Sequence, residues 1–314
     1  MRFSVIIPLY NKAPYVKKAI ESALAQTWRD FELIVVDDGS SDDSYAVAES
    51  ALKGCTVPYQ LVHQENAGVS TARNNGGALS HGDYICFLDA DDWWAPTFLE
   101  KMNGLIRDYP EAGIYGTNYY YVKNGAERVC IEGVETGYIN YCRVYANRLK
   151  MPLTSISVAI PRHVFNFYKG FVPKIKLGED FMLWIQIALS YKVAFLNSPL
   201  AYYNQDSDPV WRGVGHLVSP ENHMLWNLDF LSEKEISDPD LKRLLDNLRA
   251  YGLLPFFISK QYHNAAKKEL SKVEWGGQPF KIRFLYKMPR LMLVFRKTLL
   301  ELGVAVKRRL NMNK

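Results

Sequence analysis

Three acids crowd the stretch Asp89-Ala90-Asp91-Asp92, directly after the apolar run 85–88. An apolar strand has no structural use for carboxylates packed at its end, so a positive group is expected there. Carboxylates one residue apart offer oxygens to a hard divalent cation. Mg2+ or Mn2+ held by few protein carboxylates completes its shell with substrate phosphate and water. The alternative is helix capping, because acid-rich turns also precede helices and Pro96 marks a helix start nearby. A second such turn, Asp37-Asp38-Gly39-Ser40-Ser41-Asp42, follows the run 32–36. A carboxylate here can accept a hydrogen bond from the imide N–H of uracil or thymine, or can simply shape a glycine turn. The stretch 66–76 sets Gly68, a capping hydroxyl and Arg73 at the mouth of a helix. Amide groups and a guanidinium there favour a diphosphate or the adjacent sugar, whereas an isolated helical arginine usually faces solvent. Glu179-Asp180 stands at the start of the helical run 181–189, where the helix dipole favours acids.

The elements that must position these groups alternate. Residues 3–8 read as a strand, and 13–26 show helical spacing through Val16, Ala19, Ile20, Ala23 and Leu24, with Asn11 as its cap. Strands at 32–36, 59–63 and 84–88 then alternate with helices at 44–53 and 70–80. Parallel neighbours need crossover connections, so this order predicts an α/β parallel sheet covered by helices, with ligands at the carboxyl ends of its strands. Both acid clusters fall at such ends. After a helix from Pro96 to Tyr109 and a strand at 114–122, further strands are expected at the sheet edge. Beyond about residue 215 three helices are expected, at 221–233, 238–268 and 281–309, as a C-terminal helical appendage.

The 314 residues, 48% hydrophobic and 23% charged, have the balance of a folded globular chain, and four scattered cysteines carry no metal-ligand spacing. A reducing, cytoplasmic setting is expected. The first eight residues are apolar for too short a run to be a signal peptide, and no run reaches the roughly 18 to 20 residues needed to cross a bilayer. The net charge is +5, but 280–314 carries ten Lys or Arg against Glu301, a local +9 that leaves −4 elsewhere. A basic amphipathic tail of this kind either lies on an anionic membrane surface or packs its apolar face on the protein, and Pro289 should divide it. No interleaving of aromatic and basic residues suggests nucleic acid as a partner.

The order of Pro8-Leu9-Tyr10-Asn11, the 37–42 turn, the 66–76 stretch, Phe87-Leu88-Asp89-Ala90-Asp91-Asp92 and Gly178-Glu179-Asp180 strongly resembles the family 2 glycosyltransferases. The resemblance covers about residues 3–205. It implies a GT-A fold, a Rossmann-like nucleotide-binding half over about 1–112 joined to an acceptor-binding half over about 113–215. The implied activity is metal-dependent, inverting transfer of one sugar from a nucleoside diphosphate donor, with UDP-sugars favoured. The acceptor would be a glycan or a lipid-linked sugar, in bacterial surface polysaccharide synthesis. Carried over by position, Pro8 and Tyr10 would line the nucleoside pocket, Asp38 would meet the base, and Arg73, Asp89 and Ala90 would face the donor. Asp91 would ligate Mn2+ or Mg2+, and Asp180 would be the catalytic base.

Two departures qualify that pattern. The chain has neither a Q-x-x-R-W motif nor membrane spans after Asp180, which argues for single addition over processive synthesis. Many relatives carry a histidine where Tyr202-Tyr203-Asn204-Gln205-Asp206 stands, and His216 is the nearest substitute as a further metal ligand. Two rival readings are a catalytically silent nucleotide-sugar binder and a sugar nucleotidyltransferase. The latter expects a glycine-rich loop after the first strand, whereas 9–14 contains no glycine.

Overall fold

A computed structural model describes residues 1–207 and 217–295. The chain divides into two compact units, Met1–Met224 and Leu225 onward. The first is built on a ten-stranded sheet: β1 Phe3–Leu9, β2 Phe31–Asp37, β3 Tyr59–His63, β4 Tyr84–Phe87, β5 Trp93–Trp94, β6 Ala112–Lys123, β7 Ala126–Val129, β8 Gly137–Ile139, β9 Val158–Pro161 and β10 Lys192–Asn204. Its main path runs β3-β2-β1-β4-β9-β6-β10-β5, with β7 on β6 and β8 on β10. The β3-β2-β1-β4 half is parallel, β9 pairs antiparallel with both β4 and β6, and β6 and β10 run parallel. The strands after residue 112 therefore extend the same sheet.

The local reasons are plain in the sequence. Every residue of β1 and β2 is buried, as a parallel strand covered on both faces requires. Helix α1, Val16–Leu24, buries Val16, Ala19, Ile20 and Ala23, the expected stripe. It starts later than the spacing suggests because Lys12–Tyr15 is a turn, with the Tyr15 N–H on the Lys12 carbonyl. Asn11 is not its cap. It adopts a left-handed φ of 49°, and its side-chain oxygen accepts the Ser41 N–H at 2.8 Å. Helices α2, Ser44–Leu52, and α3, Val69–Leu79, complete the crossovers of the parallel half. Gly76 lets α3 approach β1 closely, since a Cβ there would lie 2.5 Å from Ile6 Cγ2.

Helix α4, Phe98–Asp108, follows Thr97, whose side chain makes no capping bond, and the Leu99 N–H of its first turn donates to Gln26 Oε1 at 2.9 Å. The acids at 89–92 therefore do not cap it, and that alternative falls. Helices α5, Tyr141–Arg148, α6, Arg162–Phe167, and α7, Glu179–Ala188, complete the first unit.

The second unit departs from three long helices. A 3-10 turn at Pro220–Asn222, still in the first unit, and another at Asp229–Leu231 take the place of most of a helix at 221–233, followed by α8, Ser232–Ser237. The span 238–268 is divided into α9, Pro239–Gly252, α10, Leu254–Ile258, and α11, His263–Leu270. Pro255 explains the first break, because it has no N–H to continue the ladder and its ring clashes with the preceding turn. Helix α12, Phe280–Lys287, ends before Pro289, and helix resumes from 290 to the last described residue. Residues 296–309 of the expected tail helix lie outside the described residues.

Candidate functional site

The parallel half places β1 between β2 and β4, so chain direction across the sheet reverses at β1. Such a switch point opens a crevice beyond the carboxyl ends of the strands. Pro8 is buried inside β1, while Tyr10, just past its end, is 36% exposed at the rim. Asp37 ends β2, and Leu88 continues β4 by donating its N–H to the Ile6 carbonyl. Both acid clusters thus reach this crevice.

Asp38 is almost wholly enclosed, and its carboxylate organises a loop. Oδ1 accepts from Gln64 Nε2 at 2.7 Å and the Ala67 N–H at 2.9 Å, and Oδ2 accepts the Gly68 N–H at 2.8 Å. Asn66 Nδ2 donates to the Asp38 carbonyl. Gly39 supports this packing: its φ is +73°, and a Cβ would lie 2.8 Å from the Asn66 backbone nitrogen. Gly39→Ala should therefore destabilise the fold by about 1–3 kcal/mol, read as a lower urea midpoint at unchanged slope. Asp42 does serve a turn, accepting from the Ser44 and Ala13 N–H groups.

Arg73, on the inner side of α3 and 3% exposed, is the hub of a second constellation. It donates to Asp89 Oδ1 at 2.7 Å, to Glu179 Oε1 at 3.0 Å and to Ser155 Oγ at 3.2 Å. Ser155 in turn donates to Asp89 Oδ2 at 3.0 Å. The guanidinium carbon sits 5.1 Å from the centre of the Phe171 ring. The neighbouring carboxylates hold the Arg73 proton more firmly, although burial opposes them. Asp180 stands in the first turn of α7, with Oδ1 accepting the Phe181 N–H at 2.7 Å. It is half-buried, and burial, with Glu179 and Asp89 beside it, raises its pKa to about 7 even though Arg73 and the Phe181 N–H pull the other way. A carboxyl that ionises near neutrality is suited to taking a proton from a hydroxyl.

The other acids of the 89–92 turn have separate partners. Lys12 Nζ donates to Asp91 Oδ2 at 2.7 Å, and both side chains are largely covered. Asp92 is buried and accepts the Asn204 N–H at 2.7 Å. Burial and the adjacent acids push its pKa well up. Ala90 is buried between them. Asp91 also walls a cavity of about 380 Å3 lined by Tyr15, Lys18, Trp93, Glu127 and Asn204 among others. Trp93, Tyr202 and Tyr120 stack in sequence beside it.

Arg73, Asp89 and Asp180 thus converge, Asp91 faces Lys12, and Pro8, Tyr10 and Asp38 lie where β1 and β2 end in the crevice. Ser155, Glu179 and Lys12 join them without having been singled out for these roles. Glu179 was legible as the neighbour of Asp180, and Lys12 as a cation beside Tyr10-Asn11. Ser155 carries no local signal. Among the described residues, no group of three His, Cys, Asp or Glu side chains is placed to hold a metal ion. His216 lies outside the described residues. The hard oxygens of Asp89 and Asp91, each already drawn to a cation, nevertheless suit Mg2+ or Mn2+ chemistry.

Residues 4–158 match the sequence family described as Glycosyl transferase family 2. Glycosyltransferase GlyA of Streptococcus pneumoniae is 32% identical over 247 residues, covering 74% of this chain and 34% of its own length. The chain spans about a third of the length of the first curated relatives it matches. Among solved structures, S. aureus TarS 1-349 in complex with UDP-GlcNAc is similar with a TM-score of 0.71 at 20% identity, over 91% of this chain and 84% of that one. Mannosyltransferase PcManGT from Pyrobaculum calidifontis, in complex with GDP-Man and Mn2+, is similar at a TM-score of 0.51 and 18% identity, over 86% of this chain and 84% of that one. These likenesses agree with a GT-A fold, and through its domain at residues 4–158 this chain belongs to glycosyl transferase family 2.

Proposed function

We propose that this chain transfers one sugar, with inversion, from a nucleoside diphosphate donor to a glycan or lipid-linked acceptor in surface polysaccharide synthesis. The observation that carries the reading is Asp180, a carboxyl poised near neutrality beside the Arg73–Asp89–Glu179 cluster, at the crevice where parallel strands end. Asp180 takes the proton of the acceptor hydroxyl as that oxygen forms a bond to the anomeric carbon. The bond to the diphosphate oxygen breaks on the opposite face with its electron pair, so one displacement inverts the centre. Arg73 fixes Asp89 and Glu179 and lowers the cost of charge on Asp180. Pro8, Tyr10 and the loop organised by Asp38 border the nucleoside, and Ala90 lies along the donor.

Asp91, with Asp89, would hold Mg2+ or Mn2+ once Lys12 gives way, and a bound ion would offset charge on the departing diphosphate. A UDP-sugar is favoured as donor, supported by the UDP-GlcNAc complex of the structurally similar TarS. The catalytic domain is assigned to 1–215, with the donor half at about 1–112 and the acceptor half at about 113–215. The helical region from Leu225 is an appendage. The enzyme is assigned to the cytoplasm, at the inner face of the membrane. Among the described residues no helix is long and apolar enough to cross a membrane.

Calorimetric titration of UDP, dTDP and GDP into wild type and Asp91→Ala, with Mn2+ and with chelator, tests the donor site. UDP is expected to bind wild type with Mn2+, and to bind at least about tenfold more weakly after Asp91→Ala or chelation. No nucleoside diphosphate binding with metal present would sink the reading.

A further inference from the structure

We infer that the outward face of 280–295 docks on the interface of an anionic membrane. The inference extends the reading of a lipid-linked acceptor but stands on its own geometry. Tyr286, Arg290 and Leu293 fix this stretch to the second unit. Tyr286 donates its hydroxyl to the Ala250 carbonyl at 2.9 Å and sets its ring against Phe257 and Trp275. Arg290 Nε donates to the Ile258 carbonyl at 2.8 Å, and Leu293 is 2% exposed. The anchoring uses few of the apolar side chains.

Four large ones point to water. Phe280 is 71% exposed, Phe284 52%, Leu291 80% and Phe295 66%. Phe280 and Phe284 lie one helical turn apart with stacked rings 6.0 Å between centres, and Leu291 and Phe295 are likewise one turn apart. Single exposed apolar residues are ordinary, but this many large ones within 16 residues mark an interaction surface. Lys281 and Lys287 stand exposed among them, and 280–295 contains four cations and no acid. By sequence, 296–314 adds six more cations against Glu301.

Charge selects the occupant. A second copy would bring the same cations against these and be repelled, whereas anionic headgroups neutralise them while the rings enter the acyl boundary. No helix among the described residues can span a bilayer, so the contact is interfacial. Because these side chains touch solvent, replacing them should leave the fold intact, which circular dichroism checks.

Sedimentation of the full chain with phosphatidylcholine vesicles, with and without phosphatidylglycerol, tests the inference. Wild type is expected to pellet only with the anionic vesicles. Phe280→Gln with Phe284→Gln should weaken the partition about tenfold or more, and Lys281→Gln and Lys287→Gln about fivefold each. Binding unaffected by the phenylalanine changes would overturn the inference. So would a chain that ignores anionic vesicles but forms a dimer, by light scattering, that the same changes dissociate. Vesicle binding by a chain that fails to bind UDP would uphold the surface and remove only the transfer reading.

Discussion

Asp180→Asn is expected to lower the rate of sugar transfer by about 10²–10⁴-fold, the usual loss when a positioned general base is removed, while UDP affinity stays within about threefold. Asparagine keeps the shape and can still accept from the Phe181 N–H, so the effect isolates proton transfer. The pH dependence follows from a carboxyl raised from 3.8 to about 7. Below pH 7 the base is protonated, and log(kcat/KM) should rise with unit slope before levelling above it. Stability runs the other way. The native state binds this proton more tightly than the unfolded chain, so stability from this group is fully present at acid pH and is lost as pH rises from about 4 through 7. Wild type should therefore lose stability relative to Asp180→Asn over that window, as followed by urea unfolding. A variant with near wild-type turnover, or a rate profile flat from pH 5 to 8, would remove Asp180 from the chemistry.

Arg73→Met should be the most destabilising single change at the site, by about 3–5 kcal/mol, because it leaves Asp89 and Glu179 enclosed without their cation. Methionine fills much of the same space, so packing loss over Phe171 contributes little to the comparison. The same substitution takes away a positive charge that restrains the Asp180 pKa, so the midpoint of any residual rate profile should move upward. Arg73→Lys retains charge but not the fork that reaches Asp89, Ser155 and Glu179 together, and should recover only part of the stability. A loss below about 1 kcal/mol for Arg73→Met would show that the cluster is solvated and that its members act independently.

The parallel half of the fold was legible because β1, β2 and β4 are largely buried and so read as apolar runs, with acids directly after β2 and β4. The candidate site was legible where its residues stand on those ends, as at Asp89, Asp91 and the 37–42 turn. What escaped was pairing over distance. Lys12 meets Asp91 across 79 positions, and Ser155 reaches Asp89 across 66, which no local pattern encodes. The carboxylate of Asp38 looked free for a ligand because its partners at 64–68 belong to a different loop. In the second unit, helical spacing survived across Pro255, and periodicity outvoted the missing amide that divides the helix. The tail posed the reverse problem. Its composition fits either an inward or an outward apolar face, and only the anchoring by Tyr286 and Leu293 distinguishes them.

Asp38 has a consequence for how the crevice meets a ligand. Three hydrogen bonds hold the 64–68 segment before anything arrives, so its conformational freedom is surrendered during folding and is not deducted from binding. The edge of the crevice at the end of β2 is fixed as a result, and a ligand there would meet a preset surface. The Lys12–Asp91 pair joins two side chains that would have to part if a cation or an anion took either one. One part of the cleft is thus fixed by its own hydrogen bonds, while beside it stands an ion pair that a bound cation or anion would have to exchange.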